Sequence, residues 1–394
     1  GMYIKKADQQ IIKDLKSKGL LFEMKQYTHQ YPFCQRTDTP LIYRLIKGCW
    51  FLNAADPKFR DKLIKNNKKI NWVPENVGTN HFGNWIEESV DWCISRNRFW
   101  GTPIPVWRSD DGKEIMCVGS IKELADLSGI NEKEILDLHI ETVDKIKLKS
   151  KEGRGLLTRV QGVLDCWFES GSVPFGQVHY PFENKHLFNS DRVGLADFVC
   201  ESKDQTRGWF YTLNVLSTAL FDKPAFENVI VTGIILGTDG EKMSKSKGNY
   251  PDPHLVLDKF GADSLRLYLL STPVVKAESI KFDESAIGSI QQNSIVKLYN
   301  IALMLVEKIN LFNGEYPNNK LTYPTISELN SMSDILDRWI INKTGLFLQE
   351  ITNDLNGYRI HSIANKILMY VDQLTNWYVK MARERLKGFA SRFG

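Results

Sequence analysis

The sequence has few cysteines, no long apolar run, and almost no net charge for its size. Six cysteines occur in 394 residues (Cys34, Cys49, Cys93, Cys117, Cys166 and Cys200), and no two form a Cys-x-x-Cys pair. A locally encoded zinc knuckle is therefore excluded, and no protein-bound zinc is expected. Sparse, unpaired cysteines suit a reducing compartment and argue against a disulfide scaffold. No stretch of eighteen consecutive apolar residues exists, so no membrane-spanning helix is expected. The start, Gly1 to Lys6, lacks the apolar core of a signal peptide, and a cytoplasmic location follows as an expectation. The 51 basic residues nearly balance the 47 acidic ones, leaving a net charge of +4 that by itself points to no polyanionic partner. No internal repeat and no low-complexity tract is present.

What the chain does have is local contrast. With 42% hydrophobic and 25% charged residues it is ordinary globular material, long enough for roughly two or three domains. Residues 1–48 read as a polar, turn-rich connector containing Tyr31-Pro32-Phe33-Cys34 and Asp38-Thr39-Pro40. Residues 49–160 form a Trp- and Asn-rich segment. Within it, about 108–155 is charged and mixed, opens on the turn Asp110-Asp111-Gly112, and reads as an insertion. Three basic clusters stand out: Lys62, Lys65, Lys68 and Lys69; Lys145, Lys147, Lys149, Lys151 and Arg154; Lys380, Arg383, Arg385, Lys387 and Arg392. Each is either a solvated surface or a seat for a phosphate backbone.

From Gln161 the pattern changes. Short apolar runs at 162–168, 196–201 and 228–235 alternate with a helical stretch through Trp209, Leu213 and Leu216. That alternation predicts a parallel α/β sheet over 161–250, with polar residues at strand ends lining a crevice. Those ends carry Glu169, Glu201, Asp204 and Gln205. After a short connecting fold at 251–284, residues 285–394 read as an α-helical bundle. Its core stripes are Leu298, Ile301, Leu305 and Ile309; Leu336, Ile340, Phe347 and Ile351; and Ile363, Ile367, Tyr370, Leu374 and Met381. Ser333 is a candidate N-cap, and Gly314 and Gly357 are breaks.

Four motifs carry chemistry. Glu241-Lys242-Met243-Ser244-Lys245-Ser246-Lys247-Gly248-Asn249 follows the third run, between Gly240 and Gly248. Two lysines three residues apart can face a polyphosphate together, where negative charge builds during phosphoryl chemistry. A solvated lysine-rich turn would look the same. In Glu201-Ser202-Lys203-Asp204-Gln205-Thr206-Arg207-Gly208-Trp209-Phe210, a carboxylate at a strand end and polar residues at a helix start could hold an ammonium group and ribose hydroxyls. Asp204 could equally be an acidic N-cap. Asp165-Cys166-Trp167-Phe168-Glu169-Ser170-Gly171-Ser172 supplies one of two tryptophans, Trp167 and Trp209, that suit an aliphatic pocket or an ordinary core. The run Trp92 to Trp107, with Arg96, Arg98 and Trp100-Gly101-Thr102-Pro103, has no role derivable from spacing: its arginines either reach a nucleic acid or brace the fold.

Together these motifs resemble the isoleucyl-tRNA synthetases of the class I aminoacyl-tRNA synthetase family, cytosolic eukaryotic branch, over nearly the whole chain. The resemblance implies the second half of a class I Rossmann-like nucleotide fold with a parallel sheet, then a stem-contact connecting fold and a truncated anticodon-binding bundle. It implies ATP-dependent activation of isoleucine and transfer to tRNA(Ile). Lys242 and Lys245 would be catalytic, and Glu201, Asp204, Gln205, Gly233, Met243 and Ser244 would contact ATP or the adenylate. Trp167 and Trp209 would bind isoleucine, with Mg2+ entering on ATP. A monomer, with a place in a multi-synthetase assembly open, is expected. Two departures matter. Ser202 stands where the family has glycine. None of the seven histidines, His29, His81, His139, His179, His186, His254 and His361, forms the His-x-Gly-His phosphate signature. The chain therefore reads as beginning after an editing insertion and as inactive alone. A non-catalytic tRNA-binding or regulatory relative is the alternative, and valine or leucine the neighbouring specificities.

Overall fold

The structure is a computed structural model. It describes every residue except 1, 35–36, 44, 189–191, 245–247 and 388–394. Contacts divide the chain into two compact units, residues 1–50 and 51–394. The first holds the helix Ile4–Ser17 and a turn in which Cys34 N–H donates to the Thr39 carbonyl at 2.9 Å.

The second unit is built on a three-stranded parallel sheet. Its order is Ala196–Ser202, Phe226–Thr232, Asn71–Val73, with Val199 opposite Val229 and Ile230 opposite Val73. The central strand contributes Phe226, Val229 and Val231, all fully buried. The helix Trp209–Phe221 crosses between the two longer strands and buries every residue from Phe210 to Thr218. A helix hydrophobic all round is one enclosed by protein. Trp72 sits in this core with Phe210 and Phe226 edge-on, centroids 5.7 and 6.1 Å away. The third strand lies in the Trp- and Asn-rich region, where three residues are too short to show a periodicity. The helix Pro57–Asn67 precedes it, capped by Asp56, whose carboxylate accepts from Phe59 N–H at 2.9 Å.

The first of the three apolar runs departs from expectation. Only Val163–Leu164 is strand; it pairs antiparallel with Ser95–Arg96, outside the parallel sheet. At Asp165 the chain turns into the helix Cys166–Gly171, so Glu169 is helical and not at a strand end. The stretch expected to be an insertion, together with its flanks, folds around a separate core of Trp107, Val118, Leu124, Leu148 and Leu157. Its antiparallel sheet has the order Ile115–Cys117, Val106–Arg108, Leu156–Arg159, Leu148–Lys149.

Beyond the sheet the chain is largely helical. Asp334, not Ser333, caps the helix Ile335–Asn356: its carboxylate accepts from Leu336 N–H at 2.8 Å and Asp337 N–H at 3.3 Å, which the hydroxyl one residue earlier does not reach. The helix Val296–Glu315 runs through Gly314, whereas Gly357 does end its helix. The stripe on Val296–Glu315 is also not a buried core. Leu305 is 56% exposed and no residue of that helix is fully buried, because neighbouring elements cover only a narrow strip of it. Met381, at the end of the third stripe, is exposed as well. The next helix, Ile360–Asp372, is tied to its predecessor through Asp354. That carboxylate takes Lys366 Nζ at 2.7 Å, Arg359 Nε at 3.1 Å and the Ser362 hydroxyl.

Candidate active site

The polar residues gather where the two long parallel strands end. Glu201 is the penultimate residue of its strand, opposite Val231, and its side chain is exposed. The strand then enters a tight turn, Lys203–Arg207, that feeds the helix Trp209–Phe221. Gln205 Oε1 accepts from Trp209 N–H at 3.0 Å and so caps that helix. The capping role considered for Asp204 thus falls to Gln205. Asp204 stays exposed and takes the Ser202 hydroxyl. The side chain at 202 is therefore engaged with a neighbouring carboxylate. Partial desolvation, then the Glu201 charge, raise the adjacent Cys200 thiol above its ordinary value.

Trp167 and Trp209 come together on adjacent helices. Trp209 Nε1 donates to the Ser170 carbonyl at 2.9 Å. A Cβ added at Gly208 would lie 3.3 Å from the Trp167 ring and 2.8 Å from Gln205 Oε1. Trp167 is 39% exposed and Trp209 half-buried, so Trp167 offers open apolar surface beside the Glu201 turn. This short helix is held from behind by the Trp92–Trp107 run. Asp165 is buried, and its carboxylate accepts from Trp92 Nε1 at 3.0 Å and pairs with Arg96 at 2.9 Å. Arg96 also donates to the Cys93 and Ser95 carbonyls at 2.7 and 2.9 Å. Glu169 accepts from Thr102 N–H at 3.0 Å. Arg96 is therefore a brace, while Arg98 is exposed.

Gly233 follows the central strand. Its N–H donates to the Val274 carbonyl at 2.7 Å, and a Cβ there would stand 1.7 Å from the Glu278 carbonyl oxygen. Close backbone approach accounts for this glycine without a ligand. The strand Ile235–Leu236 then pairs parallel with Ile280–Lys281 and opens the lysine loop. Lys242 is exposed and bridges back to Leu236, and Met243 and Ser244 are half-buried. Lys245 lies outside the described residues. The loop is fastened by two residues to which the sequence reading gave no role. Asn249 Oδ1 accepts from Ser244 N–H at 3.0 Å. Its Nδ2 donates to Asp239 at 3.1 and 3.3 Å and to the Lys242 carbonyl at 3.4 Å. Asp239 also accepts from Glu241 N–H at 2.9 Å. The signal available beforehand was the Asp239-Gly240 turn, with Gly240 at φ +81°.

Among the described residues no cluster of three His, Cys, Asp or Glu side chains is arranged to hold a metal ion, and no helix is long and apolar enough to cross a membrane.

Comparison with known proteins converges on one family. A family model described as tRNA synthetases class I (I, L, M and V) matches residues 4–281, and one described as the anticodon-binding domain of tRNA ligase matches 337–392. The chain is 47% identical to the cytoplasmic isoleucine–tRNA ligase of Mus musculus, over 98% of this chain and 30% of that protein. It is 45% identical to its Saccharomyces cerevisiae counterpart, over 98% and 35%. The chain thus spans about a third of the length of the curated relatives it matches. Among solved structures, a Mycobacterium tuberculosis methionyl-tRNA synthetase in complex with methionyl-adenylate aligns with TM-score 0.59 at 18% identity, covering 92% of this chain and 58% of that one. A LeuRS–tRNA–LeuAMS ternary complex from Agrobacterium radiobacter aligns with TM-score 0.55 at 18% identity, covering 77% and 38%. These two show the shared fold.

Proposed function

Because the chain belongs to the class I tRNA synthetases of the isoleucine, leucine, methionine and valine group, we propose that it forms part of an isoleucine–tRNA ligase acting in the cytoplasm. The observation that carries this reading is the fastened Lys242 loop, rooted one short strand beyond the sheet end that bears Glu201, Gln205 and Trp209, with Trp167 on the neighbouring helix Cys166–Gly171. The reaction is in-line attack of the isoleucine carboxylate on the α-phosphate of ATP, releasing pyrophosphate, followed by acyl transfer to the 3′ end of tRNA(Ile). Lys242 and Lys245 stabilise the charge that develops on the phosphates. Glu201 meets the ammonium group of the bound aminoacyl-adenylate, and Asp204 and Gln205 meet its ribose. Gly233, Met243 and Ser244 form the loop-side wall, and Mg2+ arrives with ATP as part of the substrate. Trp167 and Trp209 wall the aliphatic side chain with rigid apolar area.

The 337–392 segment belongs to the tRNA-binding part, and in this reading the working protein is a monomer that can join other synthetases. Positioning across both phosphate signatures underlies this chemistry. This chain contains no His-x-Gly-His, so by itself it does not catalyse activation. The test is isoleucine-dependent ATP–pyrophosphate exchange. The protein in its natural length should exchange with isoleucine in preference to valine or leucine and lose activity on Lys242→Ala, while this chain alone should show none. Exchange indifferent to Lys242→Ala, or robust exchange by this chain alone, would contradict the assignment.

A further inference from the structure

The proposed chemistry uses none of the four lysines on the outer edge of the insertion. Leu148–Lys149 is an edge strand of the insertion's sheet. Along 146–151 burial alternates: Ile146 and Leu148 enter the core, and Lys147, Lys149 and Lys151 are exposed. Lys145, also exposed, stands in the turn after the helix Ile140–Val143. The backbone under this row is pinned. Trp107 Nε1 donates to the Ile146 carbonyl at 2.8 Å, and Glu114 accepts from Lys151 N–H at 2.8 Å. Some nearby charges are spent elsewhere, Arg154 pairing with Asp111 and Glu152 at 2.7 and 2.8 Å and Asp144 with Arg159 at 2.5 Å, while Glu141 on the helix Ile140–Val143 is an exposed carboxylate beside the row. Among the described ion pairs none involves these four lysines. Alternate residues on a strand repeat about every 6.6 Å, a spacing comparable to that of successive phosphates along one nucleic-acid strand.

A second observation lies one short helix away. Trp100 is 73% exposed and stacks on His139, with centroids 4.4 Å apart and 19° between planes. His139 is fixed in turn by Asp137, Nδ1 to Oδ1 2.5 Å, and directly precedes the helix that ends at the lysines. An indole braced on one face and open on the other is a platform for an unstacked base, and a cationic track beside it is how single strands are held. Edge lysines also guard against strand pairing, but that role gives no reason for an exposed, braced tryptophan.

We propose that this face binds a single-stranded polynucleotide, with Lys145, Lys147, Lys149 and Lys151 on its phosphates and a base on Trp100, and that the segment is the unpaired 3′ end of tRNA. The choice of segment rests on the ligase reading; the polynucleotide surface does not.

The test is filter binding of this chain to a tRNA transcript, and to the same transcript without its unpaired 3′ nucleotides, over a salt series. Replacing Lys147, Lys149 and Lys151 with glutamine should flatten the slope of log affinity against log salt by about 2, at roughly 0.7 per phosphate of a single strand. The pair Lys147→Gln/Lys149→Gln, a milder change, should flatten it by about 1.4 on the same scale. Trp100→Ala should weaken binding roughly 5- to 100-fold with the slope unchanged. Both effects should vanish on the shortened transcript. An unchanged slope in the lysine variants, or no tRNA binding by the parent chain, overturns the surface. Effects that persist on the shortened transcript overturn the 3′-end assignment. If the slope changes as expected but the natural-length protein shows no isoleucine-dependent exchange, the surface stands and the ligase reading falls.

Discussion

The clasp between Asp239 and Asn249 makes a prediction that can be read on this chain directly. Asn249→Asp keeps the oxygen that accepts from Ser244 N–H but replaces the amide that donates to Asp239 and to the Lys242 carbonyl. Two solvent-facing hydrogen bonds are lost and two carboxylates are set against each other. At roughly 0.5–1 kcal/mol for each exposed bond, the closed loop should lose about 1–2 kcal/mol. That corresponds to a rise of roughly 5- to 30-fold in the open population. When opening is fast relative to cleavage, proteolysis reports that population. Trypsin cleavage after Lys242, followed by mass spectrometry, should accelerate by this factor. Asp239→Asn in the same chain restores a donor facing a carboxylate with the roles exchanged. Its carbonyl oxygen still accepts from Glu241 N–H, while the bond to the Lys242 carbonyl stays unmade, so the double variant should recover to within about 2- to 5-fold of the parent rate. Cleavage of Asn249→Asp at the parent rate, or no recovery in the double variant, refutes the clasp as the element that holds Lys242. In the natural-length protein the same pair should move kcat for pyrophosphate exchange in parallel, because a misplaced lysine fails at the transition state.

The remaining predictions concern the frame around the site. Arg96→Met leaves the Asp165 carboxylate, whose side chain is 4% exposed, with Trp92 Nε1 as its neighbouring donor; unfolding in urea should show a loss of roughly 2–4 kcal/mol, and Arg96→Lys a smaller one. Gly233→Ala sets a Cβ against the Glu278 backbone, so its thermal midpoint should fall well below the parent's, whereas Gly248→Ala, with nothing within 4 Å of its Cβ, should lose only what its φ of +59° costs. Gln205→Ala should cost about 0.5–2 kcal/mol as a lost cap, and Gln205→Glu, which keeps the acceptor, should restore helix stability by circular dichroism. Lys366, then Ser362, hold Asp354 at about 2, below the ordinary 3.8. Its contribution to the helices around Gly357 is therefore complete above about pH 4 and lost as the pH falls through about 2. Asp354→Asn should flatten that acid limb of a denaturation series.

How much was legible beforehand depended on whether a feature was local. Phe226–Thr232 announced itself as a β-branched run and the Trp209–Phe221 helix as a continuous apolar one, because burial leaves a mark on most of their residues, whereas Ala196–Ser202, in which only Val199 is buried, showed as no more than a short partly apolar stretch. Asn71–Val73 left none: three residues cannot express a period, and only the pairing with Phe226–Thr232 makes them strand. Val163 to Phe168 misled for the opposite reason. An apolar run looks alike in strand and helix, and the arbiter was Asp165, whose partners lie some seventy residues upstream. Leu305 shows the limit of helical periodicity, which locates a stripe but not what covers it.

The same distinction sorts the site. Residue types could nominate Lys242, Glu201 and the two tryptophans, since a cation, a carboxylate and an aromatic wall each have a chemistry of their own. They could not say which polar groups were already committed to holding the backbone. Gln205 spends its oxygen on a helix start and keeps only its amide N–H groups for a ribose, Asp165 and Glu169 spend carboxylates on the Trp92–Thr102 run, and Asn249 and Asp239 hold the loop. Each sits within seven residues of a nominated one. In this chain the motif strings therefore mix groups that face a ligand with groups that keep the first kind in place. The mixture has a mechanistic consequence. A positioned cation aids a transition state only as far as its loop resists moving. Variants of the holding residues should then lower kcat while leaving the KM for isoleucine nearly unchanged, and variants of Trp167 should do the reverse.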